Sequence, residues 1–538
     1  MIRRLFLALL LLYSLAVQTQ SAARKVAFDR VPLTGGCNAS RPLPMDVTTI
    51  DWSGAYGVCS LTAKWLSGKL FDIIVDGHTY TIKAIKGFPD VRKLARLLGV
   101  SPMLGTAGAP LSKWYDESVH GNDCSSPSGA RPSIWLINGK VSVAFDGFLV
   151  DEASGSNADS YCALPSGVVT NNQATTVYAA VQMVSGGATY GYTTRYFPTL
   201  FSAGDTEAHG FIFNAGPPSE GSAISWTASA RINDTTTTPT LWPETQPVVI
   251  GMIAGSDAFS VTQNEESASS SALPVDTATG GYIGATPFSI NGGFYGRMYT
   301  FMVAGATAAS SAQQTVMRNA LYSLHQIAKR KPKYAILVDG ASVDVGLGSR
   351  IGNVNGYGWV EQMLAQIPTP IRMGNTAVSG ATTAEITSTI SKSQCNFFKS
   401  GYRNILIGPS AAAGNSIIAG KTGAQAYSDL QTYVTDMRNC ANPPSAILVW
   451  LLGTSCTECV RYNNLIVANA ALLCITPIGG SDHLNPIMAA FATSNAKYFN
   501  QSPSWLSGHP TIAGYQNLSR APLAALQTLA SRFSAGAK

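Results

Sequence analysis

The sequence predicts two domains of different class: an N-terminal all-β jelly-roll sandwich, and a C-terminal α/β domain whose parallel sheet carries helices on both faces. Three observations predict it. From about Cys37 to Thr307, short alternating or apolar runs are separated by Gly, Ser, Thr, Asn and Pro, with few helical patterns. From Tyr334 onward, apolar strand-like runs alternate with helical periods, which implies βαβ units. Between the two lies the charged, Pro-containing stretch 328–333, suited to a linker. At 538 residues the chain also exceeds what one ordinary core supports.

Taken in order, residues 1–23 read as a secretory signal peptide. Arg3 and Arg4 precede an apolar run from Leu5 to Val17, and small residues place cleavage near Ala23. That run is short for the ~20 residues of a membrane span. The expected product is secreted, extracellular or periplasmic, with no stable membrane insertion after cleavage. The sandwich would occupy 24–327, with strands near Thr176–Met183, Pro198–Phe201, Phe211–Phe213, Val248–Ile253 and Arg297–Val303. One early helix is marked by Val91, Leu94, Leu97 and Leu98, and Thr235–Thr238 and Ser267–Ser271 read as solvent loops. A helix over Ala308–Ile327, with Val316, Leu321, Leu324 and Ile327 on one face, closes this half. The second domain, 334–538, is expected to hold strands at Ala335–Val338, Asn404–Ile407, Ala446–Leu452 and Ala470–Ile475. Its helices are expected near Trp359–Gln366, Gly423–Asn439 and Pro522–Phe533.

Composition narrows the function classes. Hydrophobic residues make up 46% and charged residues only 12%, so the chain is globular. A net charge of +6 without a basic stripe carrying interleaved aromatics argues against nucleic acid as a partner. Export permits disulfides. Cys37, Cys59, Cys124 and Cys162 allow three connectivities, of which sequence neighbours favour Cys37–Cys59 and Cys124–Cys162. Five cysteines in the second half leave one unpaired. Cys456 and Cys459 have CxxC spacing, but no second pair completes a zinc site, so a local disulfide or a packing role is expected and no metal.

The chemistry concentrates in the second half. The strand-like run Tyr334–Val338 empties into Asp339-Gly340-Ala341-Ser342, and His509-Pro510 follows some 165 residues later. A strand delivers the hydroxyl to the carboxyl edge of a sheet, and a distant loop brings the His as its base. Gly340-Ala341-Ser342, Asn375-Thr376-Ala377-Val378-Ser379-Gly380-Ala381-Thr382 and Ser507-Gly508-His509-Pro510 through Tyr515 resemble three sequence blocks of the SGNH (GDSL-like) hydrolases. The resemblance covers roughly 334–533. It implies an α/β/α fold in which Ser342 is the nucleophile, His509 the base and Gly380 an oxyanion donor, with no cofactor.

Three positions depart from that pattern. Where the family carries its oxyanion Asn, Gly408-Pro409-Ser410 stands, with Asn415 as the nearby substitute. Leu506 stands where a carboxylate would orient the His, leaving Asp482 on another loop as the alternative, and Ala341 replaces the first-block Asp. His483 is a rival base, although the residues after His509 favour the latter. Losing a side-chain oxyanion donor costs about 3 kcal/mol. Losing a His-orienting Asp costs about 10⁴-fold in serine proteases.

The first half carries Trp114-Tyr115-Asp116-Glu117-Ser118, then Phe145-Asp146-Gly147, Gly281-Tyr282-Ile283-Gly284 and Phe294-Tyr295-Gly296-Arg297. In these segments it resembles concanavalin A-like lectin/glucanase sandwiches, including that of some fungal arabinofuranosidases. Trp114, Tyr115, Trp226 and Trp242 are the aromatic candidates for carbohydrate binding. Asp116 and Glu117, adjacent on the chain, suit a turn better than a glycosidase pair. Together the two halves read as a secreted carbohydrate esterase that removes O-acetyl or related acyl groups from a polysaccharide. The alternatives are a degenerate hydrolase domain in a glycan-binding surface protein, and a lipid or thioester hydrolase.

Overall fold

The computed structural model describes residues 34–535 except 39–41, 146–149, 152–155, 158–159, 171–172, 185–198, 205–208, 216–225, 233–243, 255–257, 272–280, 285–293, 328, 330–331, 347–348, 350, 352–355, 368–370, 379, 389–393, 453–455 and 479–509. The leader, Thr235–Thr238, Trp242, Asp482, His483, Leu506 and His509 therefore lie outside the described residues.

Eighteen strands between Gly54 and Ala304 join in one antiparallel network. Strand Thr106–Trp114 belongs to two layers, since its first part pairs with Ser133–Ile137 and its last part with Lys69–Val75. In one layer Thr175–Met183 runs between Val248–Ala254 and Gly296–Ala304, and every residue of it is buried. A strand covered on both faces reads as a continuous β-branched and apolar run, as Thr-Thr-Val-Tyr-Ala-Ala-Val-Gln-Met does. The rings of Phe201 and Phe301, one from each layer, meet at 5.1 Å, and Tyr56 and Trp114 meet at 5.9 Å. Helix Ser311–His325 opens with a Ser310–Gln313 capping box and adds Met317, Leu321 and Leu324 to the same core. Val316, expected on that buried face, is 40% exposed instead, because Met317 takes the inward position.

Two further sequence expectations are corrected here. Ser267–Ser271 is no loop but part of strand Glu266–Ser271, paired with Ala258–Gln263. Backbone pairing at a sheet edge needs no apolar side chains, so a serine run can serve. Trp114 is fully buried, and its Nε1 donates to Gly57 O at 3.0 Å, which makes it a core residue rather than a sugar platform. The turn role of Asp116 holds: its carboxylate accepts from the amides of Ala55, Ser118 and Asn122 and from Ser118 Oγ. Disulfides join Cys37–Cys59, Cys124–Cys162, Cys395–Cys440 and Cys456–Cys459, leaving Cys474 free.

The second half is a separate five-stranded parallel sheet. Its order is Ile371–Asn375, Tyr334–Val338, Arg403–Ile407, Ala446–Trp450, Thr476–Ile478. Helices Gly423–Arg438 and Thr457–Asn469 cover one face, while Trp359–Leu364, Ile512–Leu518 and Arg520–Ala535 cover the other. The expected strand Ala470–Ile475 is instead the turn that ends the Thr457–Asn469 helix; Leu472 is exposed and Cys474 sits at φ 44°. The pairing strand starts one residue later, at Thr476.

The antiparallel half covers the open edge of this sheet, as an unpaired edge strand requires. Thr245 N donates to Met373 O at 2.8 Å. Beside it the fully buried Arg372 faces Glu244 at 3.7 Å and Glu266 at 3.8 Å, with the rings of Phe397 and Tyr402 against its guanidinium.

Candidate active site

Strand Tyr334–Val338 pairs on either side with the two strands that follow it in sequence, Ile371–Asn375 and Arg403–Ile407, so the loops after it diverge at a switch in strand order, where α/β sheets place their sites. Asp339 N donates to Ile407 O at 2.9 Å and Thr376 N donates to Val338 O at 2.9 Å, locking the three strand ends together. The Asp339 carboxylate is buried and accepts from Thr376 Oγ1, Gln394 Nε2 and Tyr433 OH, each at 3.0 Å. Desolvation by burial nevertheless lifts it to about 6.

Ser342 stands half-buried in the turn that follows. Asp344 braces this turn: its Oδ2 accepts from Ala341 N at 2.9 Å and its Oδ1 from Trp359 Nε1 at 3.2 Å. The second-block loop adjoins, since Val378 N donates to Gly340 O at 3.2 Å. In that loop Gly380 is exposed at φ 79°, and a Cβ there would meet no atom within 4 Å. Its positive φ suits glycine.

Asn415, considered as an oxyanion donor, is half-buried and stands beside the Gly380 turn. Residues Ser410–Ile418 form a helix directly after the third strand, so the loop is not lengthened, and Asn415 Nδ2 donates to Ala381 O at 2.9 Å. It props the Gly380 turn from behind.

His509 lies outside the described residues, but the helix that begins three residues later is placed. Thr511 caps it by accepting from Gly514 N, and Gln362 Nε2 reaches both Tyr357 O and Ile512 O. Tyr515 is fully buried close to Asp344 and Glu361; burial, then those two carboxylates, hold its phenol well above its ordinary range. Glu361, behind the same turn, is buried with Oε1 lacking a hydrogen-bond partner. Desolvation raises it to about 7 against the pull of Arg297.

Sequence reading missed that the antiparallel half borders this edge. Tyr295 OH donates to Val345 O at 2.8 Å, and Trp135 Nε1 donates to Ile351 O at 2.9 Å. Val184, Tyr295, Val345 and Ala377 form one apolar cluster, and Trp135 packs with Tyr357 and Ile512 in another. The Gly-rich 340–358 loop gave no local sign of a partner so distant in sequence.

Of the aromatic candidates, Tyr115 remains on the surface, half-buried, and the side chain of Trp226 lies outside the described residues. Among the described residues Cys37, Cys59 and His325 cluster, but both sulfurs are in a disulfide and His325 Nε2 is hydrogen-bonded to Thr300 Oγ1 at 2.7 Å. No helix among the described residues is long and apolar enough to cross a membrane.

Neither protein-family models nor curated proteins match this chain. Solved structures show local likenesses. One is a mutant of a GH54 α-L-arabinofuranosidase, at 15% identity and TM-score 0.37, covering 51% of this chain; the match spans only 63% of that one. Another is a member of the lipolytic G-D-S-L family from Veillonella parvula, at 18% identity and TM-score 0.26, covering 35% of this chain and 94% of that one. A third is an acetylxylan esterase from Geobacillus stearothermophilus, at 15% identity and TM-score 0.27, covering 36% and 93%.

Proposed function

We propose that the chain is a secreted carbohydrate esterase, with a jelly-roll glycan-binding domain at 24–327, a linker at 328–333 and an SGNH-like catalytic domain at 334–538. One observation carries the reading. The Ser342 turn, the Gly380 turn and the helix after His509 converge at one edge of a parallel sheet, with Tyr515 close enough to Asp344 for its charge to act on the phenol. In this reading Ser342 Oγ attacks the ester carbonyl and His509 takes its proton. The amides of Ser342 and Gly380 hold the oxyanion, and His509 returns the proton to the departing sugar alcohol. Water then repeats the sequence on the acyl-enzyme and frees the acid. The four disulfides suit an oxidising compartment.

Asn415 favours a second reading. One N–H of its amide is engaged by Ala381 O, which leaves a single N–H for an oxyanion, a weakened donor of the kind a hydrolase region retained in a glycan-binding protein would carry. Acetate release from an acetylated polysaccharide decides between them. Release that disappears in Ser342→Ala supports the esterase; equal background from both proteins supports the second reading.

A further inference from the structure

On the outer face of the antiparallel half, two lysines flank one tyrosine and a third lies opposite one of them. Lys69 and Lys83 are directly opposed across the paired strands Lys69–Val75 and His78–Ile85, and both are exposed. Like charges in register repel and weaken a strand pair. The ammoniums of Lys69 and Lys113 both lie over the Tyr115 ring, at 5.2 and 5.5 Å from its centre. Next to them Lys93 Nζ donates to Thr81 O at 2.8 Å, and exposed Arg92 and Arg96 follow on helix Val91–Leu97. Three acids answer this charge: Asp123 meets Lys113 at 3.4 Å, Asp72 Oδ2 accepts from Tyr115 OH at 2.8 Å, and Asp90, beside Lys83, accepts from Lys93 N at 2.9 Å. Asp72 Oδ1 is left without a donor.

We propose that this face binds an anionic polysaccharide, a chain carrying uronate carboxylates. Lys69 and Lys83 would take a carboxylate between them, relieving their repulsion, while the partly exposed Lys113 and Asp123 at the margin meet sugar hydroxyls. The mixture favours a glycan over nucleic acid. A carboxylate at the centre of the patch opposes a continuous run of phosphates but suits a polymer that alternates charge with hydroxyls. The Tyr115 ring, with two ammoniums over it and its hydroxyl tied to Asp72, is also poorly free to stack a base. This deepens the glycan reading above and does not depend on ester hydrolysis.

The test uses the whole chain in affinity electrophoresis with polygalacturonate, an uncharged xylan, single-stranded DNA and anionic vesicles. Retardation by polygalacturonate is expected, weakening by about tenfold between low salt and ~0.3 M salt because exposed charges are screened. The Lys69→Glu/Lys83→Glu variant should lose at least about tenfold in affinity, while Lys69→Arg/Lys83→Arg and a control Lys333→Glu keep it. No retardation by polygalacturonate, equal retardation of the Glu variant, or tighter binding to DNA or vesicles overturns the proposal. Acetate release by the same samples reports separately on the esterase reading.

Discussion

Asn375 Nδ2 donates to Asp344 O at 2.8 Å and to Val184 O at 3.1 Å, so one buried amide ties the end of a parallel strand to the Ser342 turn and to the antiparallel half. Asn375 Oδ1 also accepts from Ala377 N at 3.0 Å, which starts the loop toward Gly380. One side chain thus touches both loops of the candidate site and the other half of the molecule, adding to the Val378–Gly340 and Tyr295–Val345 bonds.

Asn375→Ala and Asp344→Ala should therefore harm the site more than the fold. Asp344→Ala leaves Ala341 N and Trp359 Nε1 without their acceptor, at a cost of about 1–3 kcal/mol per buried group. We expect Tm to fall by several degrees, and acetate release well below the melting transition to fall at least about tenfold. Unchanged release from either variant would remove the bracing role.

Buried carboxylates set the pH dependence of stability. Glu361 and Glu244 are each raised to about 7 by burial, opposed by Arg297 and Arg372 respectively. A raised carboxylate binds its proton more tightly in the folded state, so its contribution is complete below the unfolded value near 4.5 and is lost as pH rises through 7. His325, lowered to about 3 by burial, acts oppositely: its contribution is complete above about 6.5 and lost as pH falls. Between pH 7 and 8 only the carboxylates of this group contribute. Tm should fall over that interval, and Glu361→Gln should flatten the fall; a rise would contradict the assignment.

Trp114 and its neighbour separate core from surface. Trp114→Ala empties a fully buried position and should cost about 3–5 kcal/mol. Tyr115→Ala loses one hydrogen bond to Asp72, worth about 1 kcal/mol, and two exposed contacts with the Lys69 and Lys113 ammoniums, and should leave Tm within a few degrees of the parent. Chemical denaturation of the two variants checks the order, and the reverse order would show that the packing is misassigned.

The Cys395–Cys440 bridge closes a span of 45 residues around the third strand. Chain-entropy reasoning gives such a loop about 4 kcal/mol. The Cys395→Ser/Cys440→Ser protein should melt well below the parent by calorimetry, whereas Cys456→Ser/Cys459→Ser, closing a separation of 3, should shift it little.

Much of this was legible because local pattern and tertiary environment agree. Tyr334–Val338 is an apolar run that becomes a buried interior strand, and the Ser310–Gln313 box starts its helix where the sequence changes period. Where the two disagree, the sequence misleads. Ile371–Asn375 contains Arg372 and Gly374 and does not read as a strand; it is buried only because Thr245, Glu244 and Glu266 arrive from more than a hundred residues away. Ala470–Ile475 is apolar yet lies in a turn, since the helix before it has used the length a strand would need. Within the site, Ser342 and Gly380 were marked by their turns, but Asp344, Glu361 and Tyr295 take their roles from partners that no local window contains.

Reaction with a fluorophosphonate, followed by peptide mapping, tests the central claim most directly, because it asks whether Ser342 is an activated nucleophile without assuming a substrate. The account predicts one covalent adduct on Ser342 of the folded chain, absent in His509→Ala. A folded sample with no adduct, or with an adduct that persists in His509→Ala, would contradict it.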